Sequence, residues 1–263
     1  MYRLEKKILL KLRDFVINYR IHRERKISDK LLRSNTGLWA VLSEYCGNSG
    51  STGVSSSDYW ALYSWVRKNK PKEVLECGTG VTTVVLAYAL MENERDDGVK
   101  GRLTTMEEHA KWQQQAKELL PAKLTKYVDF RVSTRVEDYY SIFRGVRYAN
   151  VPDRKYDFVF IDGPNSTSPS DGMKTFDIDY IKIVERSHTP VWGVVDNRLN
   201  SSYIFQKVLG VKKARYDVAQ RLCWLGPCAR NDLRVSESKS GFSESFRAFG
   251  TVRLNLIMQR KSS

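Results

Sequence analysis

A glycine turn carries the clearest chemical signal in this sequence. Residues 73–77 form a short, strand-like run containing Glu76, and Gly78 and Gly80 follow it before an amphipathic segment. Glycines at a strand-to-helix turn let the backbone approach a bound ligand, and the following helix offers free N–H groups. A carboxylate at Glu76 favours a ligand with a cationic amino-acid moiety and repels a pyrophosphate. Thr83 stands where a dinucleotide-binding turn has its third glycine, so a nicotinamide-dependent oxidoreductase is the weaker alternative.

Acidic and apolar residues after the next two strand-like runs complete a candidate nucleoside site. Glu107 follows the run 102–106, and a carboxylate at the end of the second strand can bind both hydroxyls of a ribose. The alternative is an exposed loop carboxylate without a ligand. In the expected sheet order, the loop after the third strand lies beside the base, where Arg135 or Val136 covers an adenine.

Two further strand-like runs end in hard oxygen ligands. Asp162 follows the apolar run 156–161, and Asp196 and Asn197 follow the run 191–195. Because open α/β sheets bind ligands at the carboxyl ends of their strands, these three side chains are expected to converge. Two carboxylates and an amide oxygen suit Mg²⁺. The alternative is structural: Asp196 and Asn197 cap the next helix, and Asp162 turns the chain.

The elements that position these residues alternate between short β-rich runs and amphipathic segments. The predicted strands cover residues 73–77, 102–106, 127–132, 156–161, 191–195, 216–224 and 250–259, and the predicted helices cover residues 82–91, 109–120, 137–144, 174–186 and 201–209. This alternation predicts an α/β, Rossmann-like fold with a doubly wound, mostly parallel seven-stranded sheet. No clear helix separates the last two runs, which predicts an antiparallel C-terminal hairpin at one sheet edge.

A basic helical extension precedes this pattern. Apolar residues recur every three or four positions within residues 1–33 and share one face: Leu4, Ile8, Leu12, Phe15 and Tyr19. A Gly/Ser-rich loop at 47–57 ends the extension, and a helix over 58–70, capped by Ser57 or Asp58, follows it. We therefore divide the chain into an extension at 1–55 and a catalytic domain at 56–263. A basic amphipathic helix can contact an anionic membrane peripherally; the alternative is packing on its own domain or in a homo-oligomer.

Composition narrows the choice of partners. The chain has 263 residues, 41% of them hydrophobic, and a formal net charge of +14, so it can build a core and favours acidic partners such as nucleic acid, anionic lipid or acidic glycans. The four cysteines lack the spacing of a zinc site. With no evident signal peptide and no run of ~20 apolar residues, we expect a cytoplasmic protein with reduced thiols.

The order of these motifs resembles the class I S-adenosylmethionine (SAM)-dependent methyltransferases. The resemblance lies in E-C-G-T-G at 76–80, T-M-E at 105–107 and F-I-D-G at 160–163, and covers about residues 56–260. It implies SAM as cofactor, with the glycine turn and Glu76 against its methionine part and Glu107 on its ribose. Asp162 is assigned to both the cofactor site and catalysis.

A narrower similarity concerns the acceptor. The run G-R-L-T-T-M-E-E at 101–108, together with Asp162, Asp196 and Asn197, is similar to metal-dependent O-methyltransferases of the catechol and caffeoyl type. It implies a divalent cation that orients a hydroxyl of a small molecule or sugar. Asn165 stands where that subgroup has a lysine base, so without a cation Asp162 is the candidate base. Two alternatives stay open: a nucleic-acid methyltransferase, and a noncatalytic SAM-fold scaffold tethered through its N-terminal helix.

Overall fold

The computed structural model of the protein describes residues 2–49 and 55–234, with the side chains of residues 2–7 and 9 excluded. Within these residues, three helices come first and four more alternate with strands: α1 Tyr2–Ser34, α2 Thr36–Asn48, α3 Ser56–Asn69, α4 Val81–Asp97, α5 Ala110–Leu119, α6 Asp179–Arg186 and α7 Leu199–Leu209. Single 3₁₀ turns lie at Ala122–Tyr127 and Arg230–Asp232.

A seven-stranded sheet forms the centre of the molecule. The described residues contribute ten strands to two sheets: β1 Glu73–Cys77, β2 Arg102–Glu107, β3 Val128–Val132, β4 Arg135–Tyr140, β5 Phe143–Tyr148, β6 Phe158–Ile161, β7 Phe176–Asp177, β8 Val191–Asp196, β9 Ala214–Asp217 and β10 Leu222–Cys228. The large sheet has the order β3-β2-β1-β6-β8-β10-β9. Its strands pair in parallel except for β10, which is antiparallel to both neighbours. The predicted fold class is therefore confirmed.

Strand periodicity explains why both faces of this sheet are covered. Successive side chains point to opposite faces, so Phe158 and Phe160 join the core beneath α2, α3 and α4, whereas Val159 and Ile161 join the core beneath α6 and α7. All four are at most 1% exposed. A strand buried on both faces is apolar throughout, as a central parallel strand must be.

The strand order of the large sheet reverses between β1 and β6. The two neighbours of β1, which are β2 and β6, both run parallel to it, and Cys77 pairs with Met106 on one side and Ile161 on the other. The chain leaves β1 and β6 toward opposite faces, so a crevice opens at their carboxyl ends. The fold thus brings the ends of β1, β2, β6 and β8 to one edge.

Helix α1 divides into a packed part and an unpartnered part. Near its end Leu32 is 1% exposed and belongs to the core shared with α2 and α3. Toward its start, Ile8, Leu12, Phe15 and Tyr19 are 57–69% exposed. Packing on its own domain therefore accounts for the second half of α1 only. None of the described helices combines the length and apolar character needed to cross a membrane.

Three local expectations were wrong. Residues 137–144, predicted as a helix, belong to the antiparallel pair β4 and β5, in which β4 carries half-buried and exposed side chains and β5 is mostly buried. The helix predicted at 174–186 starts only at Asp179, because Phe176 and Asp177 pair with β5. Helix α3 has Ser55 as its N-cap, without a side-chain cap hydrogen bond, rather than Ser57 or Asp58.

The antiparallel edge hairpin exists but uses other residues. It consists of β9 and β10, with Leu222 opposite Asp217, so the run predicted at 216–224 holds the end of one strand and the start of another. The predicted strand at 250–259 and residues 50–54 of the Gly/Ser-rich loop lie outside the described residues. All four cysteines are free thiols.

Candidate functional site

The glycine turn is held between the ends of two strands. Gly78 has a φ of +104°, a conformation that side chains disfavour. A Cβ there would also lie 2.9 Å from the carbonyl carbon of Asp162. By contrast, a Cβ on Gly80 would meet nothing within 4 Å. The turn therefore needs glycine at 78 for its own packing and leaves open space above Gly80.

Glu76 stabilises this turn through hydrogen bonds to the helix that follows it. Its side chain is fully buried, and its two oxygens accept hydrogen bonds from the hydroxyls of Thr82 (2.5 Å) and Thr83 (2.6 Å) in the first turn of α4. Burial raises the pKa of Glu76 to about 7. These bonds fix β1 to α4, and a direct contact of Glu76 with a cationic amino-acid moiety stays a prediction.

Glu107 lies at the end of the neighbouring strand. Its Oε1 accepts a hydrogen bond from the backbone N–H of His109 at 2.9 Å, and the residue is 9% exposed. The hydroxyls of Thr79 and Thr105 are hydrogen-bonded at 2.9 Å, so the glycine turn and the end of β2 are in contact. This placement suits the predicted ribose contact, which stays a prediction.

Val136 falls on β4, in the smaller sheet. It is half-buried and pairs with Arg147 of β5. The adjacent Arg135 forms an ion pair with Glu108 (3.4 Å). The structure thus connects this strand to the end of β2 through Arg135, and the adenine contact of Val136 stays a prediction.

A cavity of about 500 Å³ lies above the glycine turn, and we call it the turn cavity. Five of the predicted site residues line it: Gly78, Gly80, Asp162, Asp196 and Asn197. Among the described lining residues of this cavity, we do not find the other three predicted residues, Glu76, Glu107 and Val136. The structure therefore brings the glycine turn and the proposed catalytic residues into one space.

The two aspartates behave as a pair. The Asp162 side chain is 46% accessible through the cavity, yet protein surrounds the carboxylate on its other sides. Burial, reinforced by the charge of Asp196, raises the pKa of Asp162 to about 7, and burial also raises that of Asp196. Oδ1 of Asp196 is buried and receives no hydrogen bond from a described residue. We interpret the pair as two carboxylates that hold one proton between them near neutral pH.

Residues from the N-terminal helices close the turn cavity, and the sequence did not reveal them. Asp58 and Tyr59 at the start of α3 and Arg25 of α1 face the same space. Burial, and secondarily Asp196, raises the pKa of Asp58 to about 7. Nothing in the local sequence marks these positions, because helix packing alone carries them to the sheet edge.

The oxygens predicted to bind a metal already face cationic partners. Arg221 donates from Nε to Oδ1 of Asn197 at 3.2 Å, and Arg198 places Nη2 3.7 Å from Oδ1 of Asp162. A second cation in their midst would be repelled. As placed, Asp162, Asp196 and Asn197 do not suit Mg²⁺.

Comparison with known proteins agrees with this geometry. Residues 75–181 match a family model described as a methyltransferase domain. The matched segment runs from β1 into α6 and includes the glycine turn, Glu107 and Asp162. Together with the order of the seven-stranded sheet, this match supports the prediction of a class I SAM-dependent methyltransferase. The match supports methyl transfer as the reaction, with SAM as the expected cofactor.

Likenesses to solved structures are weak. YjhP from E. coli is 12% identical with a TM-score of 0.36, over 80% of this chain and 71% of that chain. The plantazolicin methyltransferase BamL, solved with a triazolic desmethylPZN analog and S-adenosylhomocysteine (SAH), is 14% identical with a TM-score of 0.31, over 92% of this chain and 76% of that chain. At these scores neither carries an argument about this protein. The search of curated proteins found no match.

Proposed function

We propose that this protein transfers a methyl group from SAM to a hydroxyl of a small molecule or sugar, with Asp162 as the general base. The observation that carries this proposal is the Asp162–Asp196 pair at the floor of the turn cavity, beside the glycine turn. A general base works best when its pKa lies near the operating pH, and the pKa of Asp162 is raised to about 7.

SAM, when bound, supplies a methyl group on a positively charged sulfur that is reactive toward nucleophiles. The protein mainly has to hold the acceptor oxygen in line with that methyl group. Asp162 would accept the hydroxyl proton as the acceptor oxygen attacks the methyl group that SAM supplies. SAM would leave as SAH, whose sulfur keeps the electron pair of the broken carbon–sulfur bond. Asp196 then shares the proton with Asp162 until it passes to water.

Arg198 is a positioning residue for this step. Its guanidinium forms an ion pair with the buried Asp177 (2.6 Å) and donates to the backbone carbonyl of Asp162. Asp177 also accepts a hydrogen bond from the hydroxyl of Ser201 at 2.5 Å. These contacts fix the loop after β6, so the Asp162 carboxylate is held toward the cavity.

The first experiment is calorimetric titration with SAH. We expect micromolar binding by the native protein, loss of binding in Glu107→Ala, and unchanged binding in Glu118→Ala, an exposed carboxylate on α5. Absence of SAH binding by the native protein would contradict SAM-dependent activity and favour the nicotinamide and scaffold alternatives.

The second experiment follows SAM consumption with hydroxylated sugars and phenols, with and without EDTA. Because Arg198 and Arg221 occupy the neighbourhood of the predicted metal ligands, we expect EDTA to leave the rate unchanged. A rate that falls in EDTA and returns with Mg²⁺ would restore the cation-assisted mechanism. Turnover of an RNA or DNA oligonucleotide, but of no small hydroxyl compound, would favour the nucleic-acid alternative.

A further inference from the structure

A second space adjoins the turn cavity along α1. This space of about 800 Å³, which we call the outer cavity, lies between α1, the loop 163–175, the start of α7 and the β9–β10 hairpin. Ile21, Asn197 and Arg221 line both cavities. A molecule whose hydroxyl meets Asp162 therefore has the outer cavity as the adjoining space for the rest of its length. Its volume is in the range of about 300–1,000 Å³ typical of small-molecule sites.

The lining of the outer cavity suits a polyhydroxylated molecule. Amide side chains come from Asn18 and Asn200, a hydroxyl from Ser166, and an aromatic ring with a hydroxyl from Tyr216. Amides both donate and accept hydrogen bonds, as sugar hydroxyls do. One tyrosine offers an apolar face for a sugar ring. It does not provide the stack of aromatic rings on which successive bases of single-stranded nucleic acid pack.

The charges of the outer cavity favour an anion. Its single acidic side chain among the described lining residues, Asp14, is paired with Arg13 at 2.9 Å. Lys174 and Arg221 form no ion pair within 4 Å with any carboxylate in the described part of the chain. The positive charge of Lys174 therefore remains available to a ligand, whereas that of Arg221 also acts on Asp58 and Asp196. The formal net charge of +14 adds long-range attraction for an acidic molecule.

The backbone holds both cationic residues in defined places. Arg221 has a φ of +61°, in the left-handed region that non-glycine residues seldom occupy, and its Nε is bonded to Asn197. The backbone of Lys174 forms an isolated antiparallel β-bridge with that of Thr167, which fixes its position. Residues in strained backbone conformations cluster at ligand-binding sites.

We propose that the outer cavity binds the methyl acceptor, and that this acceptor is an acidic saccharide whose carboxylate or sulfate group contacts Lys174 and Arg221. This inference rests on the proposed function. It also makes α1 a wall of the acceptor site, because Asn18 and Ile21 face the bound saccharide.

The test measures saccharide binding to the SAH-saturated protein by calorimetry. The probes are hyaluronan and heparin hexasaccharides, which carry carboxylates and sulfates, and neutral maltohexaose. The variants are Lys174→Gln and the matched control Lys155→Gln, an exposed lysine outside both cavities. Each variant removes one positive charge, so nonspecific attraction falls equally in both.

We expect at least one acidic hexasaccharide to bind the native protein and the Lys155→Gln variant equally. Lys174→Gln should bind it about tenfold more weakly, which is the effect of one charge-assisted hydrogen bond. Maltohexaose should bind more weakly than the acidic probes. SAH affinity should be the same in all three proteins, because Lys174 does not line the turn cavity.

Three outcomes would overturn this inference while leaving the proposed function intact. One is SAH binding without binding of either acidic hexasaccharide. Another is an equal effect of the two lysine substitutions. The third is a single-stranded RNA hexanucleotide that binds more tightly than both saccharides and depends more strongly on Lys174. Failure of the native protein to bind SAH would instead overturn the proposed function.

Discussion

Replacing Asp162 with asparagine should stabilise the protein while removing its activity. Burial and the neighbouring Asp196 raise the pKa of Asp162 from 3.8 to about 7 in the folded state. The folded state therefore binds a proton that the unfolded state has already released between these two pH values. For a carboxyl group with a raised pKa, stability is present at low pH and is lost as the pH rises from about 4 to about 7. Asparagine carries no charge and escapes this loss.

The size of the effect follows from the pKa change and the exposure of the side chain. A difference of about three pH units corresponds to about 4 kcal/mol at 1.36 kcal/mol per unit. The side chain is 46% accessible, and water in the cavity screens part of the repulsion. We therefore expect Asp162→Asn to gain roughly 1–2 kcal/mol above pH 7, equivalent to about 2–8 °C in Tm for a domain of this size.

Thermal unfolding at several pH values and SAM turnover measure the two effects together. The Tm advantage of Asp162→Asn should be absent near pH 3, grow up to pH 7 and stay constant above it. Turnover should fall by about 10²–10⁴-fold, the usual contribution of a general base. Asp153→Asn, at an exposed position outside the turn cavity, is the control and should change neither. A variant that is less stable than the native protein at pH 8, or that keeps full activity, would refute this reasoning.

Two further predictions concern the glycine turn and α1. Gly78→Ala should lower the free energy of unfolding in urea by about 2–4 kcal/mol and weaken SAH binding, because it combines a positive φ with a Cβ 2.9 Å from Asp162. The control Gly98→Ala, at φ +67° with open space around it, should cost about 1 kcal/mol and leave SAH binding unchanged. Equal effects of the two substitutions would contradict the packing argument. If the exposed start of α1 lies on an anionic membrane, Phe15→Glu should abolish flotation of the protein with phosphatidylglycerol vesicles. The free energy of unfolding should not change, since Phe15 is 69% exposed. If Phe15→Glu instead converts a dimer to a monomer on size-exclusion chromatography, this face binds a second copy of the chain.

The central strands could be predicted because their pattern is local. The strand predicted at 73–77 is reproduced as Glu73–Cys77, and the apolar run that ends at Ile161 is an interior strand. The hairpin of β4 and β5 could not be predicted in this way. Polar and charged residues fill its half-exposed positions and mask the alternation, and pairing with Phe176 of β7, about 30 residues away, completes its sheet.

The sequence by itself determined the class of protein, since the strand–glycine turn–helix unit and the acidic residues at strand ends are written in contiguous residues. The convergence of Asp162 and Asp196 followed from the rule that parallel strands end at one edge. Only the tertiary structure decided what surrounds them. The packing of α1 and α3 brings Arg25 and Asp58 to the turn cavity. The turn between β9 and β10 brings Arg221 to Oδ1 of Asn197, one of the predicted metal ligands. These contacts join residues far apart in the chain, so their effects on charge and pKa have no signature in local sequence.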